Sequence, residues 1–261
     1  MKRILSYLLI SLVYPIEYYV SAIGNSSNLG TLDSPFLYIQ QAADIMEAGD
    51  ICYIREGFYR ENIIIDNKDG SEGAPIIFTS YNNERVVLDG TVSIDTQWIP
   101  YSGNIWMAEI DFDIWQLFLN YEEMVMARWP NAYFSDGTIW DKENHWAHGM
   151  IDDDENAYEN GTMIDKPNGD IALENLNFNI QGATAILNVG SFKTYSREVL
   201  THNGNTFTYE PVDLWKTKHH DYFLEGKLDF LDSEGEWFYD SDSLKIYFWP
   251  PGNIDPNILN L

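Results

Sequence analysis

Apolar residues in the segment "SPFLYIQQAADIMEAGD" return at helical spacing: Ile39, Ala42, Ala43 and Met46 fall on one stripe. Ser34 is placed to cap this segment, Pro35 suits a first helical turn, and Gly49 stands where a helix stops. The pattern predicts one short amphipathic helix. Beyond it the period shortens. "ICYI" (Ile51 to Ile54), "NIIID" (ending at Asp66), "PIIFTSY" (from Pro75) and "RVVLDG" (ending at Gly90) are β-branched runs separated by turn residues. Their spacing of about a dozen residues leaves no room for helices between them, which points to a sandwich, a barrel or the coils of a β-helix.

From Thr91 to about Gly226 the texture changes. "NIWMAEI", "QLFLNYEEMVMARW", "ATAILNVGSF" and "REVLTHNGNTFTYEP" read as strands, and "HNGN" (His202 to Asn205) as a hairpin turn, because Asn-Gly accepts positive φ angles. Between Pro130 and Leu176 the periodicity weakens and long polar, aromatic loops are predicted. Trp106, Trp115, Trp129 and Trp140 argue against disorder in this part of the chain. "EWFYD" and "LKIYFW" predict a last hairpin through "SDS", ended by "WPPG".

Composition narrows the function classes. The chain has 261 residues, 45% hydrophobic and 15% aromatic, enough to bury a core in one large or two modest domains. Its formal net charge of -26 repels nucleic acid, so no DNA or RNA partner is expected; much of that charge reads as a solvated acidic surface. Lys2 and Arg3, the apolar run "ILSYLLISLVYPI" and the small residues of "VSA" read as an export signal cut after Ala22, with a membrane anchor as the alternative. The expected destination is secreted, periplasmic or at the cell surface, with no membrane association once the signal is removed. Cys52 is the single cysteine and lies in an apolar run, so it reads as a buried small residue rather than half of an internal disulfide.

The stretch "GTLDSPFLYIQQAADIMEAGDICYIREGFYRENIII" resembles the opening of right-handed parallel β-helix proteins that act on polysaccharides: the chondroitinase B and alginate lyase type, and related β-helix glycoside hydrolases. In that resemblance a short helix caps the open end of the coil, an "AGD" turn follows, then a first strand and a "G-x-Y-x-E" corner. The matching positions are Ala48, Gly49, Asp50, Gly57, Tyr59 and Glu61. "MARWPN" (Met126 to Asn131) and "LDSEGEWFYD" (Leu231 to Asp240) are similar to a β-rich insert near the start of some of these proteins. The implied fold is mostly β: the start of a right-handed parallel β-helix with an N-terminal capping helix, interrupted by a β-rich insert. The implied organisation is a signal peptide over 1–22, capping helix and first coils over 23–90, the insert over 91–253, and a return toward the β-helix over 254–261. Arg55, Arg60 and Glu61 are expected to pair with one another at the rim. A β-helix needs at least about three stacked repeats, so the chain reads as truncated, with catalytic residues expected on coils beyond Leu261.

The implied function is polysaccharide degradation, with glycoside hydrolysis ahead of lyase chemistry because an acidic chain repels a uronate polymer. A non-catalytic carbohydrate-binding or adhesion module, and a structural β-helix, are the alternatives. The partner is a polysaccharide or oligosaccharide. Arg128, Trp129, His145 and His148 are the substrate-binding candidates, in or beside the longest polar region; an ion pair is the bland role for Arg128. Trp140, Trp146 and Trp215 are further candidate sugar platforms, each with core packing as the plainer role. Glu234 and Glu236 share a face if they lie on one strand, as paired carboxylates must. The basic cluster "KTKHHD" brings His219 and His220, and Lys193 with Arg197 is a second basic pair. "HWAH" offers two nitrogen ligands but no third, so no metal site is assigned. "IDDDENAYENGT" is a weak calcium candidate without the alternation of a calcium loop, and no other cofactor is expected.

Overall fold

The computed structural model describes residues 15–150, 160–213 and 217–259. The chain divides into two compact units, 1–92 and 93–261, and is mostly β with few helices.

The first unit holds β1 (Glu17–Val20), α1 (Ile39–Ile45), β2 (Ile51–Ile54), β3 (Gly57–Arg60), β4 (Ile77–Ser80) and β5 (Val86–Asp89). These strands pair with one another in parallel. Glu17 lies opposite Ile51 and Ile51 opposite Ile77, giving the order β1-β2-β4, while Gly57 lies opposite Val86 in the β3-β5 pair. Strand alternation sends Val20, Cys52 and Ile54 inward, where they meet Phe36, Tyr59 and the stripe Ile39, Ala42 and Met46 of α1. Burial pushes the Cys52 thiol up to about 12, so it behaves as an apolar side chain. On the outer face Tyr19 stacks on Tyr53 at 5.4 Å, and both meet the edge of Tyr81.

The "G-x-Y-x-E" corner holds helix and coil together by a route not foreseen from its charges. The Glu61 carboxylate accepts from the Ile39 and Gln40 amides at 2.9 and 3.1 Å, satisfying two orphan donors at the start of α1. Gln41 Oε1 accepts from the Leu37 and Tyr38 amides just ahead of it. The Tyr59 hydroxyl donates to the Arg55 carbonyl. Gly57 has φ 154°, and a side chain there would start 2.8 Å from Cβ of Ala22. Arg55 and Arg60 do not pair with Glu61: Arg55 reaches Glu84 at 2.9 Å and Arg60 reaches Asp89 at 3.0 Å. Arg55 therefore ties its turn to the loop before β5, and Arg60 ties its strand to β5 itself. Hydrogen bonds, from Arg55 for Glu84 and first from the Thr91 amide for Asp89, hold both carboxyls below their ordinary range.

Two local expectations are corrected, and a third meets the fold directly. The helix begins at Ile39, not near Pro35, because the Phe36 amide donates to the Tyr19 carbonyl and Phe36 bridges Val20 as added parallel pairing. "NIIID" is not a strand; the strand of this turn is β3, and Ile64 and Ile65 stand exposed. A cut after Ala22 would remove β1, with its fully buried Val20 and its register on β2. The Ile16 amide also donates to Asp50 Oδ1. The rest of the expected signal lies outside the described residues.

The second unit contains β6 (Ile99–Ser102), β7 (Ile105–Glu109), β8 (Leu117–Leu119), β9 (Glu122–Met126), β10 (Arg128–Trp129), β11 (Ala147–Gly149), β12 (Thr162–Lys166), β13 (Thr184–Gly190), β14 (Lys193–Glu198), β15 (Thr201–Asn203), β16 (Thr206–Thr208), β17 (Thr217–Glu225), β18 (Glu236–Asp240) and β19 (Lys245–Phe248). A six-stranded sheet runs β6-β7-β19-β18-β9-β8. An eight-stranded sheet runs β14-β13-β17-β11-β12-β16-β15, with β10 added alongside β17. The hairpins read from sequence are present. Gly204, at φ 62°, turns β15 into β16, and β18 pairs with β19 from Trp237–Phe248 to Asp240–Lys245. "QLFLNYEEMVMARW" is broken into three strands; Asn120 and Tyr121, both at positive φ, form the tight turn between the first two.

The region expected to be long loops is partly regular. It carries the short helix α2 (Lys142–His145) and β11, and the buried Trp146 indole donates to the Ile139 carbonyl. The larger core gathers Leu187, Val189, Phe207, Tyr222, Leu224 and Phe230. Buried within the same unit, Asp165 accepts from Tyr222 Oη at 2.7 Å and from the Leu173 amide at 2.8 Å. Desolvation raises its carboxyl above the usual range.

Candidate carbohydrate-binding groove

The continuation of β9 into β10 sets up the site. Val125 and Ala127 are buried, and the next residue, Arg128, is only 2% exposed. Its place is fixed by β17, where Arg128 lies opposite Glu225. Alternation along β17 sends Tyr222 and Leu224 into the core and leaves Phe223 and Glu225 on the face that meets Arg128. The guanidinium lies 3.8 Å from the Phe223 ring centroid and 5.7 Å from that of Trp146. Arg128 Nε donates to the Pro130 carbonyl at 2.9 Å and Nη2 to the His145 carbonyl at 3.4 Å. Nη1 is buried and has no acceptor among the described residues.

Above this cation opens a groove of about 330 Å³. Trp115, Trp140, Trp146, Trp237, Phe134 and Phe223 give it an aromatic lining, and Met124, Val125, Met126, Ile139, Gln116, Glu123, Arg128 and Glu225 complete it. Trp115 and Trp140 are each 76% exposed. Large rings left this open on a folded surface are contact groups more than core groups. Flat apolar faces beside a few hydrogen-bonding groups are the chemistry that a sugar ring requires: C–H faces stack and hydroxyls pair.

Burial lowers Arg128 to about 10, partly opposed by Glu225 and Glu236, so it stays cationic at neutral pH. Burial raises Glu225, and Arg128 pulls it back. The strongest perturbation falls on Glu236, which is 0% exposed and pushed up to about 8 by desolvation and then by Asp232. Its Oε2 accepts from the Asp232 and Ser233 amides at 3.1 and 3.2 Å, which works in the opposite direction. The folded state therefore keeps the Glu236 proton after the unfolded chain has lost it. Stability from this group is present below the ordinary value of 4.5 and is lost as pH rises through about 8. Glu236→Gln is expected to flatten that slope: thermal melts of variant and parent should nearly coincide at the acid end and separate in the variant's favour toward the alkaline end. A difference in melting temperature that does not change with pH would contradict this.

The four sequence-selected residues do not converge. Arg128 lines the groove. Trp129 does not face it; the ring packs on the core, 6.2 Å from Tyr222. His145 contributes its carbonyl to Arg128, while its ring meets the Asn131 carbonyl at 3.3 Å. His148 lines a separate cleft of about 240 Å³ with Lys166, His220 and Asp221, and its Nε2 meets the Lys142 carbonyl. The two histidines of "HWAH" thus sit on α2 and on β11, and no group of three or more His, Cys, Asp or Glu suited to a metal occurs among the described residues. Glu234 and Glu236 do not share a face: Glu234 is an exposed turn residue accepting from the Gly252 amide, and Glu236 is enclosed. Trp140 and Trp146 do belong to the groove. Trp215 and most of the calcium candidate, 151–159, lie outside the described residues. Trp115, Phe223, Glu225 and Trp237 were missed. Only Phe223 and Glu225 carried a usable signal, their period-two spacing in "DYFLEG".

Comparison with known proteins places the chain among carbohydrate-active proteins. Residues 103–251 match the model of the GH141 insertion domain, more than half of the chain, and the chain belongs to that family. A solved structure described as a glycoside hydrolase shares the fold at TM-score 0.60 and 19% identity, over 90% of this chain and 43% of that one. Among curated proteins, the uncharacterized protein YwoF of Bacillus subtilis is 40% identical over 72 residues, 28% of this chain and 15% of its own length. Pectate lyase PEL9 of Emericella nidulans is 39% identical over 80 residues, 30% of this chain and 19% of its own. Pectate lyase L of Dickeya dadantii is 29% identical over 123 residues, 44% of this chain and 28% of its own. The chain spans less than a third of the length of any of these three relatives.

Proposed function

We propose that the chain is part of an exported, polysaccharide-degrading protein built on a right-handed parallel β-helix, with glycoside hydrolysis ahead of β-elimination. In this reading the insertion domain supplies a glycan-binding groove. The observation that carries it is the groove itself, in which two three-quarters-exposed tryptophans share an aromatic lining with the Glu123 and Glu225 carboxylates. The β-helix part is supported by the parallel register β1-β2-β4 and β3-β5 and by α1 packed on its apolar interior. Hydrolysis is favoured over elimination because a -26 chain disfavours a polyuronate. Export is supported by Lys2, Arg3 and the apolar run after them.

The groove suits binding rather than bond cleavage. Proton transfer needs an acid within hydrogen-bond reach of the leaving oxygen. Glu236, the carboxyl whose proton is held to about 8, is sealed from solvent and cannot reach a substrate. The test is a polysaccharide panel incubated with the full chain and assayed for bound glycan, for new reducing ends and for the unsaturated product of elimination. Retention on at least one glycan without product release from the groove is expected. Turnover that disappears in Glu225→Gln would place the chemistry in the groove and contradict the assignment. Retention of no glycan would contradict the binding role.

A further inference from the structure

We infer that the aromatic groove continues past Phe134 into a second, polar compartment, and that its ligand is an oligosaccharide chain: one unit stacks on the tryptophans and the next is held through its hydroxyls. The inference rests on the glycan-binding reading above and extends it to the length of the ligand. The second compartment has a volume of about 440 Å³. It shares Glu123, Met124, Val125 and Phe134 with the groove, so the two adjoin along β9 and at Phe134. Beyond that shared wall the chemistry changes. The groove is lined mainly by rings, whereas Glu122, Tyr133, Ser135, Ser233 and Glu234 line the second compartment and none of them lines the groove.

Local hydrogen bonds fix the junction. Asp136 Oδ1 accepts from the Thr138 amide and hydroxyl at 2.9 and 2.6 Å, and Thr138 Oγ1 accepts from the Tyr133 amide at 2.9 Å. The Tyr133 hydroxyl donates to Ser233 Oγ, which ties this turn to the approach to β18. Phe134 is thereby held with its ring against Trp140, 6.4 Å between centroids. On β9, Glu123 Oε1 accepts at 3.0 Å from Nε2 of Gln116, which lines the groove but not the second compartment. A pyranose has apolar C–H faces and a rim of hydroxyls. Aromatic rings hold the faces, and carboxylates and hydroxyls hold the rim. An aromatic compartment beside a polar one therefore suits successive units of one chain. At 330 and 440 Å³, each compartment alone lies at the small end of the roughly 300–1,000 Å³ typical of ligand sites. Joined, they take a ligand longer than one sugar ring.

The test is calorimetric titration of the full chain with a length series, monosaccharide to tetrasaccharide, cut from a glycan retained in the polysaccharide panel. Affinity is expected to rise by about tenfold from the monosaccharide to the disaccharide, as hydroxyl pairing in the second compartment is added to stacking. Glu122→Ala with Ser135→Ala changes two exposed residues that line the second compartment only, so its thermal melt should overlay the parent's. That double variant is expected to weaken the longer ligands by about tenfold and leave the monosaccharide unchanged. Trp140→Ala should weaken every length. An affinity that does not grow with length, or longer ligands indifferent to the double variant, would overturn the second compartment and leave the glycan-binding reading standing. Binding of no glycan at any length would remove both.

Discussion

Ile39→Asp is expected to destabilise the N-terminal unit by about 3–5 kcal/mol, the cost of leaving an uncompensated charge in a packed interior. Ile39 is 1% exposed and sits in the cluster formed by Val20, Phe36, Ala42, Met46, Cys52 and Tyr59. The new carboxylate would have no cation beside it in that cluster. It would also lie next to the Glu61 carboxylate, which accepts from the Ile39 amide itself, so like charges would meet at the start of α1. Ile39→Val, which keeps the chemistry and removes one methylene, should cost about 0.5–1.5 kcal/mol. Denaturant melts read the two variants against the parent. Equal midpoints for parent and Ile39→Asp would mean that α1 does not close this interior.

Removing both exposed tryptophans of the groove, Trp115→Ala with Trp140→Ala, is expected to lower glycan affinity by about tenfold to a hundredfold, from about 0.5–1.5 kcal/mol per lost aromatic contact. Stability should hardly move, since both rings are mostly in water and exposed substitutions usually fall within about 0.5 kcal/mol. That separation matters because Arg128, Trp146 and Trp237 serve packing and groove at once. Changes at those positions mix folding with binding. The exposed pair does not.

Local patterning was a good guide in the N-terminal unit because backbone and apolar period agree there. The stripe of α1, the run "ICYI" and Gly57 with Tyr59 all occupy the places that their spacing implies. Charge pairing was not legible. Arg55, Arg60 and Glu61 are close in sequence, yet parallel pairing sets Arg55 and Arg60 beside Glu84 and Asp89, 29 residues away. Glu61 instead turns to a helix that precedes it by 22 residues. The start of α1 was misplaced for a similar reason. Ser34 and Pro35 are good local starters, but Phe36 gains more as an added bridge to Val20.

The groove was half legible. Arg128 and Trp140 were legible from their place in or beside the longest polar region, and both line it. Glu225 and Phe223 come from a strand nearly a hundred residues further on, joined to Arg128 only by the β10–β17 register. Spacing along the chain does not report such a contact. His148 was selected for its chemistry, but the pairing of β11 with β12 and β17 takes it to a different cleft.

The most direct test follows the tryptophan indole N–H resonances of the full chain during titration with a neutral oligosaccharide. Saturable shifts are expected at Trp115 and Trp140, none at Trp98, which is enclosed in the other core of the same unit, and loss of the shifts in the double variant. Saturable binding that leaves Trp115 and Trp140 unmoved would contradict it.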